Sequence, residues 1–341
     1  MKTITIHETT PKNSFSIIIP FRNEAQNLPQ LLKSISQLNF PKEHFEVILV
    51  DDDSEEKFQI QSYKYEITLL DNIRKSNSPK KDAIETAINI AKHDWIITTD
   101  ADCLVHPNWL LILDNYIQQT HVKMIAAGVA YLEKKGFLHA FQNLDFLSLQ
   151  GATIGSFGIE EPFMCNGANF CYRKDFFFEL EGFQNNNNIA SGDDVFLLQK
   201  AIKKDKKAIG FCLHQESIVH TSSVDTWKKV FFQRVRWASK STEYHSLFGK
   251  SVAIIVFLAN LFWIIFLMLH LLNQINTNYL LIYVGVKCII DYIILLQTAT
   301  SYQSKLRWLL ISMIVYPIFS TTVAFYSLSG KYQWKGRTFR R

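Results

Sequence analysis

Asp100-Ala101-Asp102 follows a run of strand-forming residues, Trp95 to Thr99, and precedes the turn-like segment Cys103 to Pro107. Residues two apart in an extended segment point the same way, so both carboxylates can project from one strand end. Such a pair suits a hard divalent cation, Mg²⁺ or Mn²⁺, which in turn can neutralise a bound diphosphate. Further acids follow other segments. Asp51-Asp52-Asp53 closes the apolar run Val47 to Val50, and Asp193-Asp194 opens the helical pattern Val195 to Ile202 beyond the asparagine stretch Asn185 to Asn188. Near residue 235 an amide, a guanidinium and an indole, Gln233, Arg236 and Trp237, share one helix face roughly a third of the circumference wide. Arginine suits a diphosphate there, and tryptophan a sugar ring or an apolar surface.

The elements that must carry these groups alternate. Phe15 to Ile19, Val47 to Val50, Ile67 to Leu70 and Trp95 to Thr99 read as strands. Leu28, Leu31, Leu32, Ile35 and Leu38 recur at helical spacing, as do Ala83, Ile84, Ala87, Ile88 and Ala91. This order predicts an α/β domain with a mostly parallel sheet covered by helices on both faces. Ligands in such sheets bind beyond the carboxyl ends of the strands, where Asp51–Asp53 and Asp100/Asp102 both fall.

The chain of 341 residues, 48% hydrophobic, carries a net charge of +5, which gives no case for nucleic-acid binding. Five cysteines without a CxxC pair argue against a disulfide framework or a zinc site and fit a reducing compartment. Met1 to Ser14 is polar and has no apolar signal core, which places the soluble part on the cytosolic side. Charge thins after about residue 250. Ser251 to Leu272, Tyr279 to Leu296 and Trp308 to Leu328 are each long enough to cross a bilayer. Lys287 and Asp291, four apart in the second, form either a buried structural pair or a contact on a substrate path. Three crossings would put the basic tail Lys331 to Arg341 outside, against the positive-inside tendency; either one segment is re-entrant, the one broken by Pro317 being the candidate, or the tail is an exception. Before them, Val224 to Lys240 reads as a helix capped by Ser222 or Ser223. Its apolar stripe of Val224, Trp227, Phe231 and Val235 would lie in the membrane interface. The expected divisions are thus 1–222 soluble, 223–248 interface helix, 249–330 membrane region and 331–341 basic tail.

Six pieces occur in the order found in the membrane-bound branch of family 2 glycosyltransferases, and the chain resembles that branch, which includes cellulose and hyaluronan synthases and ceramide glucosyltransferases. They are Ser16 to Glu24, Val50 to Ser54, Lys80 to Ile84, Asp100-Ala101-Asp102, Gly192-Asp193-Asp194 and the full Gln-x-x-Arg-Trp at Gln233 to Trp237. The resemblance implies a GT-A nucleotide-diphospho-sugar transferase fold and an inverting transfer from a nucleotide-sugar donor, a UDP-sugar above all. It also implies that Asp51 or Asp52 holds the base or ribose, with Lys80 near the nucleotide; a solvated helix start is the alternative for Lys80. Asp100 and Asp102 would face the ribose and the metal ion. Asp194 would be the general base, although a helix cap is its plainer role. Gln233, Arg236 and Trp237 would close over donor and acceptor. Asn169, Asp193 and Trp237 would line the acceptor site, Asn166 to Asn169 being otherwise a turn. The family pattern has Glu-Asp where Asp193-Asp194 stands, and Phe196 replaces a further acid. His220 is either a metal or diphosphate contact or a structural histidine.

The acceptor expected is a lipid or lipid-linked intermediate at the cytosolic face of a membrane, a bacterial inner membrane fitting best. A processive polysaccharide synthase is the alternative, and it would need more spans for a channel. A sugar nucleotidyltransferase would want a glycine-rich loop after the first strand, where Pro20 to Glu24 has no glycine. A non-catalytic membrane scaffold explains the spans but not the acids.

Overall fold

The structure is a computed structural model and describes residues 10–186, 192–239 and 246–328, with the backbone of 331–334 and 337–340. It divides into two compact units, Met1–Tyr131 with Ser156–Ser222, and Leu132–Gly155 with Ser223–Arg341. The second takes Leu132–Gly155, which the sequence reading placed in the soluble domain. Asn187 and Asn188 of the asparagine stretch and Lys240 lie outside the described residues.

In the first unit β1 (Phe15–Phe21), β2 (Phe45–Asp51), β3 (Glu66–Asp71) and β4 (Trp95–Thr98) form the parallel half of a seven-stranded sheet. The full order is β3-β2-β1-β4-β8-β6-β9, with β6 Met124–Ala127, β8 Phe170–Arg173 and β9 Ile209–Cys212. β8 runs antiparallel to both β4 and β6, so the parallel reading holds for the half that carries the first acids. Phe15, Ile17, Ile18, Ile19, Val47, Ile48, Leu49 and Val50 are at most 1% exposed, as strands covered on both faces require. Each aliphatic side chain so buried contributes roughly 1.5–3 kcal/mol. Pairing of β1 with β4 ends at Ile18↔Thr98, so the missing N–H of Pro20 interrupts no bond on that side.

α1 (Leu28–Ser36) and α2 (Pro79–Ile90) follow the apolar stripes read from sequence, and both begin with a proline in the first turn. α3 spans Trp109–Thr120, α5 Lys174–Glu179 and α6 Asp193–Asp205. A small second sheet joins β5 (Cys103–Leu104), β10 (Val219–Thr221) and β7 (Val129–Tyr131).

The second unit holds most of α4 (Phe137–Gly158), then α7 (Trp227–Ala238), α8 (Leu247–Leu271), α9 (Thr277–Ser301) and α10 (Leu309–Ser327). By length and composition α8, α9 and α10 can each cross a membrane. α10 runs unbroken through Pro317. α7 starts later than the sequence suggests, because Thr226, not Ser222 or Ser223, caps it by accepting from the Lys229 N–H at 3.2 Å. Of its apolar stripe, Trp227, itself 41% exposed, packs on Phe141 (centroids 5.1 Å) and Phe231 on Tyr326 of α10 (5.4 Å). Lys287 and Asp291 pair at 2.5 Å along α9. The backbone of the basic tail forms a hairpin, β11 (Lys331–Trp334) with β12 (Arg337–Arg340).

β9 packs on α3 so closely that a Cβ at Gly210 would meet the Tyr116 hydroxyl at 2.3 Å and its ring at 2.9 Å. Tyr116 is itself buried. Gly210→Ala therefore destabilises the first unit by about 1–3 kcal/mol through overpacking. Thermal unfolding of the detergent-solubilised protein should show a lowered midpoint, and a midpoint equal to wild type would contradict this packing.

Candidate functional site

Asp51, at the end of β2, is 3% exposed; it accepts the Ser54 N–H at 2.9 Å and pairs with Lys57 at 3.1 Å. Asp52 is 7% exposed and accepts from Asn72 Nδ2 at 2.7 Å and Arg74 Nε at 2.6 Å. Both acids thus brace the loop after β2 and hold Arg74 at its rim. Asp53 takes a positive φ of 63° and meets Arg22 at 3.2 Å.

Beyond β4 the chain turns, with the Cys103 N–H donating to the Asp100 carbonyl at 3.1 Å. Asp100 Oδ1 lies 2.7 Å from Lys80 Nζ in the first turn of α2. The same ammonium lies 3.4 Å from Asp193 Oδ2 at the start of α6. Burial alone would lower the Lys80 pKa. The charges of Asp100, Asp193 and Asp194 outweigh it and hold the ammonium well above its ordinary value. Lys80 is therefore no solvated helix start.

Asp194 is held by backbone. Its Oδ2 accepts the Gly167 N–H at 2.8 Å and its Oδ1 the Val195 N–H at 2.8 Å. Gly192, at φ 83°, is the cap residue of α6, so Asp194 sits inside the helix's first turn. A Cβ on Gly167 would stand 3.0 Å from Asp193 Oδ2 and 3.4 Å from Asp194 Oδ2, so the close approach requires glycine. The Gly167 carbonyl accepts from Thr98 Oγ1 at 2.8 Å, tying the end of β4 to the turn that holds Asp194.

Asp102 faces the small sheet. Strand pairing sets Thr221 opposite Cys103, and the Thr221 hydroxyl donates to Asp102 Oδ2 at 3.2 Å. Loss of hydration, then the charges of Asp100 and Glu24, pushes the Asp102 pKa up to about 6 against the pull of that hydrogen bond. A carboxylate so crowded by acids favours a cation beside it. Among the described residues no three His, Cys, Asp or Glu side chains converge as a cage. The donor set therefore fits an ion of the Mg²⁺ or Mn²⁺ kind, which takes one or two carboxylates from protein and completes its shell with phosphate and water. Thr221 was not picked out from sequence; only its place two residues after Val219 on a strand facing β5 marks it. His220, beside it, is opposite Leu104, and burial followed by the charge of His106 lowers its pKa.

Asn169 is a brace, not an acceptor contact. It is 1% exposed, its Nδ2 donates to the Gly128 carbonyl at 2.7 Å and the Ser217 carbonyl at 2.8 Å, and its Oδ1 accepts from Trp109 Nε1 at 3.0 Å. Its amide has no hydrogen left for a ligand. Asn166 accepts the Ala168 N–H at 3.0 Å and so closes the turn that presents Gly167.

In the second unit Gln233, Arg236 and Trp237 are half-buried on α7, and Arg234 between them is buried. Gln233 Oε1 accepts from Arg234 Nη1 at 2.6 Å, and the Arg234 guanidinium lies 4.2 Å over the Trp237 ring.

Residues 16–179 match the profile of the family described as Glycosyl transferase family 2. A glycosyltransferase of Haloferax volcanii, AglE, is 25% identical over 193 residues, covering 54% of this chain and 60% of that protein. The poly(ribitol-phosphate) beta-N-acetylglucosaminyltransferase TarS of Staphylococcus aureus is 30% identical over 126 residues, 36% of this chain and 22% of that one. The chain thus spans less than two thirds of the length of either relative. Among solved structures, a mannosyltransferase from Pyrobaculum calidifontis, in complex with GDP-Man and Mn²⁺, superposes with a TM-score of 0.50 at 13% identity. The match covers 96% of this chain and 89% of that one. This likeness shows the fold, which is GT-A-like.

Lys81, next to Lys80, is 1% exposed; its Nζ donates to the Asn186 carbonyl at 2.7 Å and lies 5.0 Å over the Phe196 ring. Desolvation lowers its pKa from 10.5 to about 8 despite Asp193 and Asp194. Between those two pH values the unfolded chain binds a proton that the folded chain does not, so this residue makes stability rise with pH across that window. Lys81→Met removes that rise. Melting curves of both proteins at several pH values from neutral to alkaline should diverge above about pH 8; parallel curves would show that Lys81 stays charged.

Proposed function

We propose that the chain is a membrane-anchored, inverting glycosyltransferase that moves a sugar from a nucleotide-sugar donor, a UDP-sugar, to a lipid or lipid-linked acceptor at the cytosolic membrane face. The observation that carries this reading is the Lys80 ammonium, 2.7 Å from Asp100 and 3.4 Å from Asp193, with Asp194 oriented by two backbone N–H groups beside it. One sheet edge thus holds a fixed cation, a carboxylate pair suited to a metal, and a carboxylate oriented by backbone. The family 2 match over residues 16–179 supports the donor class. The three apolar helices support the anchor, with Ile254, Ile255, Ile282, Ile289 and Ile293 exposed along their faces as lipid-facing side chains are.

In this reading Asp51 or Asp52 takes the base or ribose, and Asp102 with Asp100 would hold Mg²⁺ or Mn²⁺. When bound, that ion neutralises charge developing on the departing diphosphate. Lys80 holds Asp100 and Asp193 in place, and its positive charge favours the phosphates of the donor. Asp194 receives the proton of the acceptor hydroxyl as the new glycosidic bond forms on the face opposite the leaving group. Its two N–H partners fix the orientation of the carboxylate. Gln233, Arg236 and Trp237 keep the donor and acceptor roles that the Gln-x-x-Arg-Trp pattern implies. A lipid acceptor follows from the apolar helices: a chain held in a bilayer meets a lipid hydroxyl or phosphate at high local concentration.

Asp194→Asn keeps the shape of the carboxylate but removes the base, and its amide oxygen can accept only one of the two backbone N–H groups. It should retain Mn²⁺-dependent UDP binding while transfer falls roughly a hundredfold or more. Asp102→Asn should instead weaken the Mn²⁺-dependent binding itself. Purified full-length protein, assayed with a panel of labelled nucleotide sugars and membrane lipid extract, reads both. Turnover retained in Asp194→Asn would refute the base assignment, and no turnover of any nucleotide sugar by wild type would refute the function.

A further inference from the structure

α4 is an apolar helix with polar side chains at a regular interval. His139, Gln142 and Asp145 stand three apart, which sets them along one side. Each engages α7 or the segment leading into it. His139 Nδ1 lies 2.8 Å from Ser223 Oγ. Gln142 accepts the Val224 N–H at 3.0 Å and donates to the Val224 carbonyl at 2.8 Å, fixing the backbone just before the helix. Asp145 accepts from Arg234 Nε, and both side chains are 6% exposed.

Arg234 distributes that fixed position to its neighbours. One edge of the guanidinium meets Asp145, Nη1 donates to Gln233 Oε1 at 2.6 Å, and the face covers the Trp237 ring at 4.2 Å. Phe146, next to Asp145, packs on the same indole with centroids 6.0 Å apart. A buried ion pair is weak evidence for stability, since desolvating both charges offsets most of their attraction. What this pair does provide is geometry. Only a planar, forked cation can serve a carboxylate, an amide and an aromatic face at once; an ammonium cannot.

We infer that Asp145 and Arg234 are a positioning pair that presets the Gln233 amide and the Trp237 indole for substrate. The inference rests on the proposed role of Gln233 and Trp237 in donor and acceptor binding. Arg234 acts through those two side chains and does not itself touch substrate.

The test is Arg234→Lys in the full-length protein, which keeps a cation for Asp145 but loses the fork and the flat face. We expect kcat for sugar transfer to fall roughly ten- to a hundredfold, while the affinity for UDP with Mn²⁺, titrated directly, stays at the wild-type value. Combined with Gln233→Ala, the loss should be little greater than that of Gln233→Ala alone, because both changes disable one unit. Wild-type kcat in Arg234→Lys, or losses that simply add, would overturn the inference. If Arg234→Lys does not fold, Asp145→Asn is read by the same criterion: reduced kcat at unchanged UDP affinity supports the pair, and unchanged kcat refutes it. A readout independent of activity separates this from the proposed function. Acrylamide quenching assigned to Trp237, by difference from Trp237→Phe, should rise in the Arg234→Lys background. Unchanged quenching overturns the positioning pair whatever the activity. Increased quenching in a protein whose wild type transfers no sugar supports the pair and refutes the function.

Discussion

Asp100, Asp193 and Asp194 come from distant parts of the chain and carry the same charge, so bringing them to one sheet edge is unfavourable unless a cation lies among them. Lys80 supplies it, within 2.7 Å of Asp100 and 3.4 Å of Asp193. Taking an ammonium out of water costs several kcal/mol, and a single carboxylate rarely offsets that. Here several carboxylates act together, which is why the ammonium ends well above its ordinary pKa although burial opposes it. The start of α2, the turn after β4 and the start of α6 are thereby fixed to one another. The Thr98–Gly167–Asp194 hydrogen bonds add a second tie, through a peptide group, between the same strand end and the same helix.

That arrangement also polarises the edge. Lys80 engages Asp100 on one side, while Asp102, two residues on, faces Asp100 and Glu24 and has its pKa pushed up to about 6. A cationic corner and an acid-crowded corner therefore sit side by side. A diphosphate with a divalent ion is a ligand whose own charges match both: phosphate oxygens for the lysine, metal for the acids. This complementarity is a stronger reason for the donor class than an Asp-x-Asp spacing, which occurs often by chance.

Much of this was legible in the sequence. Buried parallel strands read as unbroken apolar runs, so β1, β2 and β4 were found within a few residues, and the acids fell where such strands end. The spans α8 to α10 were legible for the same reason, since long apolar helices leave a strong compositional mark. What sequence could not give was the use of individual polar groups. Asn169 looked available in a turn, yet its amide is consumed by Gly128, Ser217 and Trp109, partners between 40 and 60 residues away. Thr221 lacked any local signal because its role depends on β10 pairing with β5, more than a hundred residues earlier. The helix cap was misplaced because Ser222, Ser223 and Thr226 are all competent, and only the path of the backbone decides among them.

α4 shows why the second unit needs polar groups and a small residue at all. Of α4, α7 and α9 only α9 is proposed to lie in lipid, and along such a helix apolar burial gives little net attraction, because the acyl chains are as apolar as leucine. Close backbone approach and buried hydrogen bonds must hold the helices together instead. Gly151 permits the first: a Cβ there would lie 2.5 Å from Thr298 Oγ1 of α9. Asn143 with Ser304 at 3.0 Å, Gln150 with Tyr302 at 2.8 Å, and Asp145 with Arg234 supply the second. These partners all lie beyond residue 179, where the family 2 match ends, whereas α4 lies within it. Any change in how α9 or α7 seats on α4 would reach Gln233 and Trp237 through Asp145 and Arg234.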